Sequence, residues 1–178
     1  MMPIFFLLWS ALFYHNEAGK YICQDGTIQF RSDAPLELIR ASSNELKGVI
    51  DTDANTFAFT INNKAFMGFN SPLQREHFNE NYIESLKYPK STFTGKIIEK
   101  IDYQVPGKYT VRAKGNLTIH GVTQERIIKS QLEIKGDKLF VNAAFSVLLA
   151  DHNISIPRIV QQKIANEIDV QVTGEFVK

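Results

Sequence analysis

The sequence contains little cysteine and little net charge. Cys23 is the only cysteine among 178 residues, so no intrachain disulfide can form. The 20 lysines and arginines nearly balance the 19 aspartates and glutamates. No basic field therefore points to nucleic acid, and no acidic tail points to a disordered segment. A chain of this length can bury the core of one domain.

Motifs for catalysis and for metal or phosphate binding are missing as well. No glycine-rich phosphate loop occurs, no serine lies in a nucleophile-elbow motif, and Cys23 has no neighbouring histidine to activate it. The histidines, His15, His77, His120 and His152, show no metal-ligand spacing such as i, i+4. We therefore expect no enzyme, no cofactor and no metal site.

A long apolar run occurs only near the N-terminus. Residues 2–14 have about the length of a signal-peptide core and are too few for a transmembrane helix. We expect residues 1–18 to be a signal peptide that is cleaved after Ala18. Residues 19–178 would then form a single exported domain, periplasmic or secreted. The alternative interpretation of the run is a membrane anchor or a hydrophobic strand.

Alternation of apolar and polar residues predicts most of the secondary structure. Residues 108–119 alternate almost without interruption, which is typical of a strand with one buried face. His120-Gly121 and Gly136-Asp137 then predict two-residue turns, and the three strands that they join agree on one buried face. Asp25-Gly26, between two short apolar runs, predicts another tight hairpin.

One segment has a helical pattern instead. Ser71 is a suitable N-cap, Pro72 suits the first turn, and apolar residues recur at intervals of three to five up to Leu86. Pro89 then ends the pattern. We therefore predict one helix at about 72–86 among eight or nine strands. This set of elements favours an all-β, closed antiparallel barrel in which the helix caps one end.

Four segments of the sequence are similar to a known family. Residues 66–69, the helix at 73–84, Lys-Tyr-Pro and its surroundings at 87–95, and Leu-Thr-Ile-His-Gly-Val-Thr within 115–123 resemble the YceI-like family of exported bacterial proteins. The resemblance implies a lipocalin-like, eight-stranded antiparallel barrel. Some members hold a polyisoprenoid, of the isoprenoid quinone or polyprenyl phosphate type. Residues 21–30 depart from the family, since the longer first strand with its histidine is missing.

The predicted inner faces of the strands supply the candidate ligand-binding residues. Small residues on the same faces, such as Ala113 and Gly115, would leave room for a slender ligand. The alternative is that the aromatic residues close over them as a packed core. The candidate apolar lining consists of Phe57, Phe59, Ile61, Phe66, Phe69, Phe93, Ile97, Tyr109, Val111, Leu117, Ile128, Leu132, Val141 and Phe145.

Arg126 is the one charged residue on a predicted buried face. Opposite Gly115, it could anchor a charged head group, although the favoured interpretation is that it snorkels to solvent at the rim. The resulting hypothesis is an exported carrier of a long-chain isoprenoid or other lipid, without chemistry on the ligand. Peripheral membrane contact is compatible with this hypothesis, and the oligomeric state stays open. The alternative is a packed barrel that acts as an interaction or stress-related protein.

Overall fold

The computed structural model describes residues 19–178, which form eight antiparallel strands. Each strand pairs with the next and the last pairs with the first, so the sheet closes into a barrel. The predicted eight-stranded barrel is therefore confirmed. The predicted signal peptide, residues 1–18, lies outside the described residues. The strands are β1 (Lys20–Ala34), β2 (Glu37–Asp51), β3 (Thr56–Asn62), β4 (Lys90–Ile97), β5 (Gly107–Ile119), β6 (Val122–Lys135), β7 (Lys138–Leu148) and β8 (Glu167–Val177).

The two predicted turns around β6 are confirmed in position and register. Ile119 pairs with Val122 across the first turn, and Lys135 pairs with Lys138 across the second. His120 and Gly121 both have positive φ, at 52° and 72°, as the tightest hairpin turns require. The local sequence therefore specifies this part of the sheet.

The predicted hairpin at Asp25-Gly26 is wrong. The expectation that residues 21–30 lack a long first strand is wrong as well. β1 runs through this dipeptide for 15 residues, and its register with β2 shifts on both sides of Gly26. The dipeptide thus forms a β-bulge instead of a turn, because β2 and β8 hold the chain on both sides. A bulge bends and twists its strand, which helps a long strand to follow a barrel wall.

The predicted helix begins where expected but ends early. The Ser71 hydroxyl accepts a hydrogen bond from Gln74 N at 3.1 Å, and α1 spans Pro72–His77. A π-helical turn, Phe78–Tyr82, follows and replaces the predicted continuation to residue 86. Ile83 N donates to Phe78 O, five residues earlier, and both side chains line the barrel interior. The π turn therefore keeps two apolar residues on one face that a regular α-helix would separate.

The two ends of the barrel differ in what fills them. We call the end with turns 52–55 and 136–137 the packed end, because its core is continuous and includes the fully buried Leu139 and Phe176. Tyr103 packs against this core and donates a hydrogen bond to Asn55 Oδ1 at 3.0 Å. Burial, with a smaller contribution from nearby Tyr21, raises the pKa of Tyr103 to about 12, so the phenol stays protonated.

The opposite end, which we call the cavity end, carries the two longest connections, segment 63–89 with α1 and segment 149–166. The β1–β2 turn and the His120-Gly121 turn lie at the same end. Short 3-10 turns occur within the two long segments, at Asn63–Ala65, Leu149–His152 and Arg158–Val160. This end of the barrel therefore has most of the irregular structure.

Candidate functional site

A cavity of about 530 Å³ lies inside the barrel towards the cavity end. This volume falls within the range of roughly 300–1,000 Å³ that is typical of small-molecule sites. Its wall is largely aliphatic and aromatic, which suits an apolar ligand. Many of the predicted lining residues form part of the wall: Phe59, Ile61, Phe66, Phe69, Phe93, Leu117, Ile128, Val141 and Phe145.

The other predicted lining residues lie at the packed end. Phe57, Ile97, Val111 and Leu132 are buried in its core, and Tyr109 packs against that core. They occupy the inner face, as alternation predicts, but they lie beyond the cavity along the barrel axis. Contact of either group with a ligand stays a prediction.

Several wall residues were not among the predicted lining. Val170 and Val172 of β8 line the cavity, and their alternation in sequence could have identified them. Ile154, Val160 and Ile164 also line it, from the irregular segment 149–166. No periodic pattern marks these three residues, so only the folded structure places them at the site.

Aromatic contacts attach segment 63–89, which contains α1 and which we call the helical segment, to the barrel. Phe78, which follows α1, stacks on Phe30 of β1 with ring centroids 5.4 Å apart. Phe69 lies 5.1 Å from Phe78, and Phe66 lies 5.2 Å from Phe30. Aromatic pairs at these distances stabilise beyond the area they bury. The same four rings line the cavity, so the attachment also forms part of the wall.

Hydrogen bonds attach the helical segment to β2 as well. The Gln74 side chain donates to Glu37 Oε1 at 2.8 Å, and Asn70 Nδ2 donates to Leu38 O at 3.0 Å. Within segment 63–89 itself, Arg75 Nε donates to Phe66 O at 3.0 Å. The helical segment is therefore held across the cavity end by side-chain contacts, as expected for a cap.

His120 joins three connections at the cavity end. Its Nδ1 donates to His152 O at 2.9 Å, and its Nε2 lies 2.5 Å from Glu84 Oε2. The ring also packs edge-on against Tyr88, 4.7 Å between centroids. These contacts connect the β5–β6 turn to segments 63–89 and 149–166. The His120 side chain therefore holds three connections of the cavity end together.

The buried polar residues Asn63 and Ser32 of the wall already have hydrogen-bond partners within the protein. Asn63 is buried, donates to Tyr88 O at 2.7 Å, and accepts from the Ser91 hydroxyl at 2.8 Å. Ser32 is buried and accepts from Ala165 N at 2.9 Å. These groups are satisfied within the protein.

Arg126 lies opposite Gly115, as predicted, but outside the cavity wall. β6 pairs with β7 only over residues 130–135, so the two strands separate beside Arg126. The Arg126 guanidinium donates to Ser146 O at 2.8 Å and thereby bridges them. The structure thus gives this side chain a contact between strands.

Replacement of Arg126 by Met should lower stability and leave lipid affinity unchanged. The lost charged hydrogen bond is expected to lower the free energy of unfolding by about 1.5 kcal/mol. Urea unfolding measures the first effect, and native mass spectrometry with added lipid measures the second. Lys129→Met, on the exposed face of β6, is the control. A large loss of affinity without a loss of stability would instead identify Arg126 as a head-group anchor.

Other kinds of site find little support between residues 19 and 178. In that part of the chain, no group of three or more His, Cys, Asp or Glu residues is arranged to hold a metal ion. No helix within it is long and apolar enough to cross a membrane. Burial raises the pKa of the Cys23 thiol, which makes it a poorer nucleophile.

A closed antiparallel barrel with an apolar cavity defines a lipocalin-like barrel protein. The family model of the YceI-like domain matches residues 24–176, and the chain belongs to this family. A search of curated proteins finds no match.

Solved structures from three organisms share the fold. A polyisoprenoid-binding domain from Saccharophagus degradans is 14% identical over 89% of this chain and 98% of its own, with a TM-score of 0.74. BcnA from Burkholderia cenocepacia is 12% identical, with 90% and 98% covered and a TM-score of 0.69. The YceI protein from Campylobacter jejuni is 17% identical, with 76% and 82% covered and a TM-score of 0.58.

Proposed function

We propose that the protein binds the chain of a long, slender lipid of the polyisoprenoid type inside its barrel. The observation that carries this proposal is the apolar cavity of about 530 Å³. The name of the S. degradans relative as a polyisoprenoid-binding domain supports the ligand class. The apolar run at residues 2–14 supports export, to the periplasm or outside the cell.

Burial of the lipid chain would drive binding. Each Å² of apolar surface removed from water contributes roughly 25 cal/mol, and the loss of ligand freedom offsets part of the total. Because the packed end is filled by side chains, the ligand would enter from the cavity end. The alternative hypothesis assumes a barrel packed with side chains throughout, whereas here side chains fill only the packed end.

We infer a role in carriage or storage, without chemistry on the ligand. The ionisable side chains in the wall are Glu37, His77, Tyr82 and Lys163. Glu37 accepts hydrogen bonds from the amides of Asn70 and Gln74. No wall serine in the described part of the chain is hydrogen-bonded to a histidine, so a nucleophile with an adjacent base is missing there.

Native mass spectrometry of the full chain tests the proposed function. The purified protein is extracted with organic solvent, refolded, and mixed with a polyprenyl lipid or a straight-chain fatty acid of similar length. We expect one polyprenyl lipid per chain, bound more tightly than the straight chain. A refolded protein that binds neither lipid would contradict the proposal, and preference for the straight chain would overturn the ligand class.

A further inference from the structure

We propose that the cavity end docks on an anionic phospholipid bilayer through an apolar rim formed by Leu36, Leu73 and Ile159. These large aliphatic side chains are 67%, 58% and 91% exposed, respectively. They lie on three different elements, namely the β1–β2 turn, α1 and the 3-10 turn Arg158–Val160. This inference extends the proposed function and is tested separately from it, because docking needs no ligand in the cavity.

Hydrogen bonds bring the three elements of the apolar rim together. Leu36 N donates to Gln162 O at 2.8 Å, which connects the β1–β2 turn to the segment that carries Ile159. The residues that follow Leu36 and Leu73, Glu37 and Gln74, are hydrogen-bonded to each other at 2.8 Å. The three elements that carry these exposed side chains are therefore directly connected at the cavity end.

This surface borders the cavity. Leu73 itself lines the cavity, as do Glu37, next to Leu36, and Val160, next to Ile159. Large apolar side chains that are exposed together typically mark an interaction site. Because these side chains border an apolar cavity, a bilayer is a fitting partner, since a lipid chain could pass between the two without crossing water.

The charges near the rim favour an anionic surface. Segment 153–166 contains Arg158 and Lys163 and no carboxylate, and neither cation has an ion-pair partner among residues 19–178. Basic residues close to a membrane surface are attracted to anionic lipids. The helical segment carries the exposed carboxylates Glu76 and Glu80, so the unpaired cations are concentrated on the Ile159 side of the rim.

Nearby carboxylates on the β1–β2 turn are already engaged. Asp33 pairs with Arg31, and Glu37 accepts from the side chains of Asn70 and Gln74. Arg158 and Lys163 are therefore not neutralised by these carboxylates of the β1–β2 turn.

A tryptophan placed on the apolar rim tests docking locally. A local probe is needed because the apolar run at residues 2–14 could bring the whole chain to vesicles regardless of the rim. The full chain is made as Ile159→Trp in a Trp9→Phe background, which removes the natural tryptophan. Its emission is recorded with vesicles of phosphatidylcholine alone or mixed with phosphatidylglycerol. Ile127→Trp in the same background is the matched control, since Ile127 is 57% exposed on the outer face of β6.

We expect a blue shift for Ile159→Trp on the mixed vesicles, little shift for Ile127→Trp, and weakening of the shift by salt. Leu36→Ser and Leu73→Ser, added singly, should each lower partitioning roughly tenfold. Unchanged emission at position 159 on vesicles that bind the chain would overturn the proposal. Equal shifts on neutral vesicles would overturn the anionic assignment.

Two further measurements separate this inference from its alternatives. Sedimentation that shows a dimer, lost in the Leu36→Ser and Leu73→Ser variants, would assign the rim to a second copy of the chain and overturn docking. Lipid binding by the Leu36→Ser variant, whose substitution lies outside the cavity wall, should equal that of the unmodified chain in native mass spectrometry. Failure of docking with intact lipid binding would thus leave the proposed function standing.

Discussion

Ala143→Trp is expected to weaken lipid binding strongly while leaving the barrel folded. Ala143 lies on β7, is buried, and lines the cavity. An indole at this position would extend into the space that we assign to the lipid chain. Because that space is empty of side chains, the new ring should cause less strain than the same change in a packed core. Affinity should fall about 100-fold or more, equivalent to ~2.8 kcal/mol.

The neighbouring residue provides a matched control. Ala144 is exposed on the outer face of β7, so Ala144→Trp adds the same bulk outside the barrel. Native mass spectrometry with the polyprenyl lipid compares the two variants, and circular dichroism melting verifies that both are folded. Unchanged affinity in the folded Ala143→Trp variant would place the ligand outside the cavity.

The face on which a strand residue lies could be predicted from the sequence, but its depth in the barrel could not. Leu117 and Leu132 were both predicted to point inward and are both buried. Only Leu117 lines the cavity, whereas Leu132 belongs to the packed end. Alternation with period two determines the face. Depth depends on strand tilt and on the pairing of β1 with β8, which join distant parts of the chain.

Contacts between distant segments explain most of what the sequence could not predict at the site. The β1–β2 turn meets segment 149–166 through the hydrogen bond from Leu36 N to Gln162 O. Nothing periodic in that segment indicates that Ile154 would be buried or that Ile159 would be exposed. Local patterns are informative where neighbouring residues decide the structure, and this segment is held by residues far away in sequence.

Glycines on the inner faces illustrate a related error of interpretation. The sequence suggested that they leave room for a ligand. In the structure, Gly95 of β4 lies directly opposite Gly115 of β5, and neither lines the cavity. A Cβ on Gly95 would lie 2.1 Å from Lys114 O, and one on Gly115 would lie 2.2 Å from Thr94 O. The missing side chains therefore allow two backbones to approach closely.

Gly115→Ala is consequently expected to destabilise the barrel strongly. The added methyl group would overlap backbone atoms of β4, which cannot move aside as a flexible side chain can. We expect the free energy of unfolding to fall by about 3 kcal/mol or more, as for the most severe overpacking in protein cores. The midpoint of urea unfolding measures this loss at constant m-value. Asn116→Ala, on the exposed face of the same strand, should change stability by less than about 0.5 kcal/mol.

The same substitution should also affect the cavity. Phe93 and Leu117 pair with each other two residues from Gly95 and Gly115, and both line the cavity. Strands forced apart at the glycine pair would shift these two wall residues, so the Gly115→Ala protein that remains folded should bind lipid more weakly. Stability within about 0.5 kcal/mol of the unmodified protein, with unchanged lipid affinity, would mean that β4 and β5 separate easily. In that case the positions of Phe93 and Leu117 would not depend on the close approach of the two backbones.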